Sequence, residues 1–210
     1  MLSRVRALVL CLTVLMALCL VPAHAFTVEY LASNASIHLE FAEANFPHPP
    51  TMICGRSVVE WLDAAGPANP SNVWQWQGAV QGYEPGWYTA LYPYASGSYI
   101  TASTQYSASG VAFAGGADQD DGRGQFYVDN TLVAQIDFYD SAPVHYVLLV
   151  DSLSQSAHTL QLTSLGPQGR SGCSGAVALY GGAALQPIPE PSTILALLFG
   201  LGGLVWRRRK

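Results

Sequence analysis

The sequence predicts a mainly β domain, a β-sandwich of jelly-roll type with one short helix, set between an export signal and a tail that forms a single C-terminal transmembrane helix. Three observations predict it. From Gly97 onward short segments alternate apolar and polar residues at period two. Turn residues punctuate them roughly every 8–15 positions, the spacing of sandwich strands. Residues 26–185, about 160 in all, lie between two terminal apolar runs and suffice for one domain with a real core.

The first element is a signal peptide, residues 1–25. Arg4 and Arg6 give it a basic start, Ala7 to Leu20 form its apolar run, and Ala23-His24-Ala25 supplies a small-x-small cleavage site. Cleavage after Ala25 leaves Phe26 as the first mature residue. Within 26–185, Pro47, Pro49 and Pro50 mark a loop. The helix is expected next. Ser57-Val58-Val59-Glu60 reads as a capping box, Val58, Trp61, Leu62 and Ala65 share one helical face, and Gly66-Pro67 stops the run.

The strands follow. Val111 and Phe113 share a face ahead of Gly115-Gly116, and Phe126 and Val128 alternate with Gln125, Tyr127 and Asp129. Asp129-Asn130 is a two-residue turn whose residues tolerate the positive φ of a type I′ hairpin. Beyond it Leu132, Ala134, Ile136 and Phe138 alternate with polar residues; then come Tyr146, Leu148 and Val150, Leu160 and Leu162, and a last strand at Ala176 to Tyr180.

The tail, residues 186–210, has three parts: Pro189-Glu190-Pro191, the apolar run Ser192–Trp206, and the basic end Arg207-Arg208-Arg209-Lys210. At 1.5 Å per residue the run makes about 22 Å of helix against a hydrocarbon core near 30 Å, so it is a marginal anchor. The terminal basic cluster stays cytoplasmic and the bulk of the chain lies outside. In order, spacing and position these parts resemble the PEP-CTERM sorting signal of Gram-negative bacteria. The resemblance implies recognition by exosortase, cleavage near Pro189-Glu190-Pro191, and release to the cell surface or extracellular space after transient anchoring. It also implies association with exopolysaccharide and biofilm.

A second resemblance covers Gly97–Tyr180. Ser96-Gly97-Ser98-Tyr99, Gly110-Val111-Ala112-Phe113, the Gly124–Asn130 hairpin, Leu132–Tyr139, Val147–Val150 and Ala157–Leu160 are similar to galactose-binding-like β-sandwiches. Asn130 stands where that family has glycine. Phe26–Pro93 has no counterpart, so the family's ligand-binding residues are not carried over.

Charge excludes one class of partner. Between the signal peptide and the terminal basic cluster stand Arg56, Arg123 and Arg170, no lysine and all 14 acidic residues, a formal charge of −11. Such a surface repels nucleic acid, and repels polyanionic glycans unless a divalent cation intervenes. Cys11 and Cys19 belong to the signal peptide. Cys54 and Cys173 remain, and in an oxidising compartment they are expected to close a loop of roughly 120 residues, with about 4–5 kcal/mol of chain-entropy stabilisation; two unpaired core thiols are the alternative.

Two constellations offer chemistry. Asp118, Asp120 and Asp121 put hard oxygen ligands on a glycine-flanked loop, which suits Ca²⁺, although the spacing is not that of an EF-hand; the alternative is a solvated turn. No other cofactor is expected. Trp74, Trp76 and Trp87 lead an aromatic-rich segment, and on a strand Trp74 and Trp76 share a face that could stack on sugar rings; the alternative is core packing. No GxSxG, HExxH or P-loop occurs. The expected function is therefore a non-catalytic surface or matrix component that associates with exopolysaccharide. A purely structural or protein-interaction domain and, more remotely, a polysaccharide hydrolase are the alternatives.

Overall fold

A computed structural model describes residues 27–30, 36–42, 49–64, 73–83, 90–139, 143–167, 169 and 172–186. Ala23, Ala25, Trp87, the Pro189-Glu190-Pro191 motif and the expected transmembrane helix lie outside the described residues. The first strands are β1 (Thr27–Tyr30), β2 (Ser36–Ala42), β3 (Met52–Ile53), β4 (Arg56–Asp63) and β5 (Gln75–Gln77). β6 (Val80–Tyr83), β7 (Ala90–Pro93), β8 (Tyr99–Ser103), β9 (Gly110–Ala117) and β10 (Arg123–Val128) follow. β11 (Thr131–Asp137), β12 (Val144–Asp151), β13 (Thr159–Ser164) and β14 (Gly181–Leu185) complete the order.

These strands form two six-stranded antiparallel sheets, β1-β11-β10-β13-β8-β5 and β2-β12-β9-β14-β4-β3, with β6-β7 as a separate hairpin. From β8 to β14 every connection but the β10–β11 hairpin crosses from one sheet to the other. That hairpin turns at Asp129 (φ 51°) and Asn130 (φ 63°), the two positive φ values a type I′ turn requires. A register shift between Phe126 and Tyr127 turns Val133 inward beside Ala134 and leaves Leu132 half-buried, which departs from strict alternation.

The sheets meet through aromatic side chains. Phe126 of β10 packs edge-on against Phe113 of β9 (centroids 5.1 Å), Phe138 (5.8 Å) and Tyr146 of β12 (6.1 Å). Both faces of the second sheet carry apolar residues. On its outer side Ala112, Ala114, Val147, Leu149 and Ala183 form one buried cluster with Ile53 of β3, and Val58 and Trp61 of β4 pack against it. This is why Val147-Leu148-Leu149-Val150 reads as an unbroken apolar run rather than an alternating one. Arg56, itself buried, pairs with Asp151 at 2.7 Å and donates to the carbonyl of Gln186, tying the end of the fold to the start of β4.

Four expectations are corrected. Residues 56–63 form strand β4, and no helix occurs among the described residues. Pairing with β14 over Gly181–Leu185 outweighs the local helix signal. Glu60 caps no helix; its carboxylate accepts from the backbone N–H of Gln105 (2.7 Å) and Tyr106 (3.2 Å). The last strand is Gly181–Leu185, while Ala176–Tyr180 lead into it through isolated bridges. Trp74 does not share an open face with Trp76. It is 1% exposed, and its indole N–H donates to Leu62 O at 3.0 Å. Cys54 and Cys173 are free thiols. Burial, then a hydrogen bond to Glu40, pushes the Cys54 thiol up to about 12. The Cys173 thiol instead donates to Asp121 O at 2.8 Å.

Phe126→Ala is expected to cost about 3–5 kcal/mol, read from denaturant unfolding, because the cavity opens where both sheets meet. A loss below about 1 kcal/mol would contradict the placement of Phe126 at the centre of the core.

Candidate functional site

A cleft of about 670 Å³ opens where β9 ends and β12 begins, bordered by the Asp118–Asp121 loop and the lead-in to β14. Small residues make its base: Gly116, Ala117, Ala176 and Ala178. A Cβ at Gly116 would meet the Tyr180 hydroxyl and lie 3.2 Å from its Cζ, so a larger residue there would push the Tyr180 ring aside. Tyr92, Tyr94, His145 and Tyr180 supply the aromatic walls. Tyr94 is exposed, Tyr92 and His145 are half-buried, and Tyr180 is buried. His145 Nδ1 and the Tyr180 hydroxyl lie 2.9 Å apart, and burial lowers the His145 pKa.

The acidic edge is one tight loop. The Asp118 N–H donates to Asp121 Oδ2 (2.9 Å), and the Asp120 N–H donates to Asp118 Oδ1 (3.0 Å). Ser174 straps the loop down, its N–H and hydroxyl both donating to Asp120 O at 2.7 and 2.9 Å. The carboxylates of Asp118, Asp120 and Asp121 therefore converge, with oxygens within 4.8 Å of one another. Like charges this close resist joint ionisation. Burial, reinforced by Asp118, pushes Asp121 up to about 8. A hydrogen bond with Asp118, then burial, raises Asp120 to about 6. A cluster of hard oxygens that retains protons near neutrality fits a divalent cation, which would displace those protons; Ca²⁺ would draw its remaining ligands from water and backbone carbonyls.

The structure thus brings the three expected aspartates together and places them on a cleft. It does not bring the tryptophans there. Trp74 is core, and Trp76, 43% exposed on edge strand β5, does not line the cleft. Of the aromatic residues that do line it, Tyr92 and Tyr94 belong to the aromatic-rich segment that the sequence singles out, whereas His145 and Tyr180 carry no local signal. His145 and Tyr180 meet only because β12 and β14 both flank β9.

Linkage sets the pH dependence. Folded Asp121 keeps its proton to about pH 8, whereas an unfolded aspartate releases it near pH 4. Between these values the folded state binds more protons, so stability falls as pH rises. His145, with its lowered pKa, acts in the opposite sense, but only below about pH 6.5. In chelator, stability should therefore fall between pH 6.5 and 8 by up to about 1.4 kcal/mol per pH unit. Asp121→Asn should flatten that slope; an unchanged slope would show that another group titrates.

Comparison with known proteins gives three findings. Residues 187–210 match the PEP-CTERM protein-sorting motif. No curated protein matches the chain. Among solved structures, exo-β-1,3-galactanase from Phanerochaete chrysosporium, solved with β-1,3-galactotriose, is similar at TM-score 0.40 and 15% identity; the match covers 60% of this chain and 30% of that one. The chain thus spans less than a third of that enzyme's length. The tail expected at 186–210 is the PEP-CTERM motif, which marks the chain as an exported protein processed by exosortase.

Proposed function

We propose that the exported chain is a non-catalytic surface or matrix protein that associates with exopolysaccharide through the cleft of Tyr92, Tyr94, His145 and Tyr180. One observation carries this reading: aromatic side chains and an oxygen-rich acidic loop line one concave site. Sugar rings present apolar C–H faces to aromatic clouds and hydroxyls to polar rims, and such sites combine both. Exosortase cleaves near Pro189-Glu190-Pro191 in a Gram-negative host, and the apolar tail anchors the chain only until then. Ca²⁺ held by Asp118, Asp120 and Asp121 offsets part of the negative charge and admits anionic saccharides.

Catalysis is not part of this proposal. The three carboxylates lie within four successive residues of one turn and are bonded into it, so they face one another rather than flank a glycosidic bond. A purely structural or protein-interaction role is the second reading. The burial of Trp74 favours it, since that ring was one of three expected to stack on sugar.

Three outcomes test the proposal. The intact mass of the protein recovered from its host should lack Trp206 and the basic tail; a retained tail would mean a permanent anchor. Titration calorimetry of the chain purified from its host against the host's extracellular polysaccharide should show saturable binding. Tyr94→Ala should weaken that binding about tenfold, a loss of roughly 1.4 kcal/mol, and the absence of heat would favour the structural role. Millimolar Ca²⁺ should raise the melting temperature, and Asp120→Asn should abolish the rise; indifference to both Ca²⁺ and chelator would remove the metal.

A further inference from the structure

The outer face of the first sheet carries a pattern that the cleft does not use. Strand register aligns Gln77, Tyr99, Thr163, Gln125 and Gln135 in one row across β5, β8, β13, β10 and β11. A parallel row sets Gln75, Thr101, Gln161 and Tyr127 side by side on β5, β8, β13 and β10. Five strands at about 4.8 Å spacing make the first row roughly 19 Å long. On these strands neither row contains a charged residue; on edge strand β1, register sets Glu29 beside Gln135 at the end of the first row. Arg123 and Asp137, two positions further along β10 and β11, neutralise each other in an ion pair at 3.1 Å.

These groups are ordered before any ligand arrives. The Tyr99 hydroxyl donates to Gln77 Oε1 (2.7 Å), the Tyr127 hydroxyl to Gln125 Oε1 (2.8 Å), Gln125 Nε2 to Gln135 Oε1 (2.9 Å), and Gln161 Nε2 to Thr163 Oγ1 (3.0 Å). Each glutamine amide has two donors and a carbonyl with two lone pairs, so every one keeps capacity beyond these bonds. Side chains already held by their neighbours lose little rotamer freedom on binding.

We infer that this face is a second docking surface, for an uncharged polysaccharide chain laid across the strands. Amide and hydroxyl groups match sugar hydroxyls, and Tyr99 and Tyr127 offer ring edges and faces to C–H groups. Charge selects the occupant. On a chain of formal charge −11 between its signal peptide and its terminal basic cluster, the two rows across β5, β8, β13 and β10 are neutral, and there an uncharged polymer gains hydrogen bonds away from Glu29 at the β1 edge. A second copy of the protein fits less well: the rows hold no large aliphatic group to bury, stable homodimers need an apolar interface, and two such chains repel. The inference rests on the reading that the protein works among extracellular polysaccharides, but not on the cleft.

Affinity electrophoresis of the chain purified from its host tests it, through gels containing dextran, hydroxyethyl cellulose or a neutral galactan, with polygalacturonate as the charged comparison. With chelator in the gel, so that no Ca²⁺ serves the cleft, at least one uncharged polymer should retard the protein, and polygalacturonate should not. Gln161→Glu and Gln125→Glu, near-isosteric changes that place a carboxylate in each row, should each weaken retardation about tenfold, and Gln77→Ala on edge strand β5 should weaken it without touching the core. Tyr94→Ala should leave it intact. No retardation by any uncharged polymer overturns the inference, as does retardation that survives all three glutamine substitutions. Loss in Tyr94→Ala alone assigns binding to the cleft and removes this face. A sedimenting dimer that Gln161→Glu dissociates would assign the face to a second copy and overturn the polysaccharide.

Discussion

Tyr146 is where core and cleft are joined. Its ring stands 4.5 Å from Phe138 and packs on Phe126 across the sheet interface, while its hydroxyl donates to Ala178 O at 2.8 Å. Ala178 lies at the base of the cleft and, with Ala176, in the segment that carries Tyr180 to its place beside His145. The approach is possible because Gly115 lies beneath, where a Cβ would come within 2.5 Å of the Tyr146 hydroxyl. A buried phenol left without its acceptor would cost about 1–3 kcal/mol, and the lead-in to β14 would lose its fixed point. The fold does not merely support the cleft; one side chain spans both.

The same segment holds the acidic loop. Gly122 N–H donates to Ala176 O at 2.7 Å, and Ser174 and Cys173 bond the carbonyls of Asp120 and Asp121. The carboxylates are therefore held together by backbone bonds from a neighbouring strand connection, not by mutual attraction, which their charges oppose. Burial, reinforced by Asp118, raises the Asp121 pKa, a hydrogen bond with Asp118 raises that of Asp120, and a divalent cation is the other way to relieve the crowding. On the first sheet's outer face, the rows across β5, β8, β13 and β10 hold no charged residue, and Glu29 stands beside Gln135 at the β1 edge.

Much of this was legible in the sequence wherever the signal was local. Asp129-Asn130 announced its hairpin because both residues tolerate positive φ, and Phe126, Val128, Leu160 and Leu162 announced their strands by alternation. Asp118, Asp120 and Asp121 were found because they are adjacent in the chain, and the tail because its three parts have fixed order. Non-local pairing defeated the rest. Residues 56–63 carry apolar groups that fit either period, and only the partner β14, more than a hundred positions away, decides for strand. Trp74 looked available because nothing local reveals that Leu62 O awaits its indole N–H. His145 and Tyr180 are 35 positions apart and meet only through the sheet. The neutral rows were equally hidden, since no strand contributes more than one residue to either row.

The most direct measurement of the central claim is amide hydrogen exchange on the chain purified from its host, with and without the host's extracellular polysaccharide. The account predicts that protection gained on binding concentrates at residues 92–94, 116–121, 143–146 and 174–180, the segments that build the cleft. Exchange unchanged throughout the chain at saturating polysaccharide would contradict it.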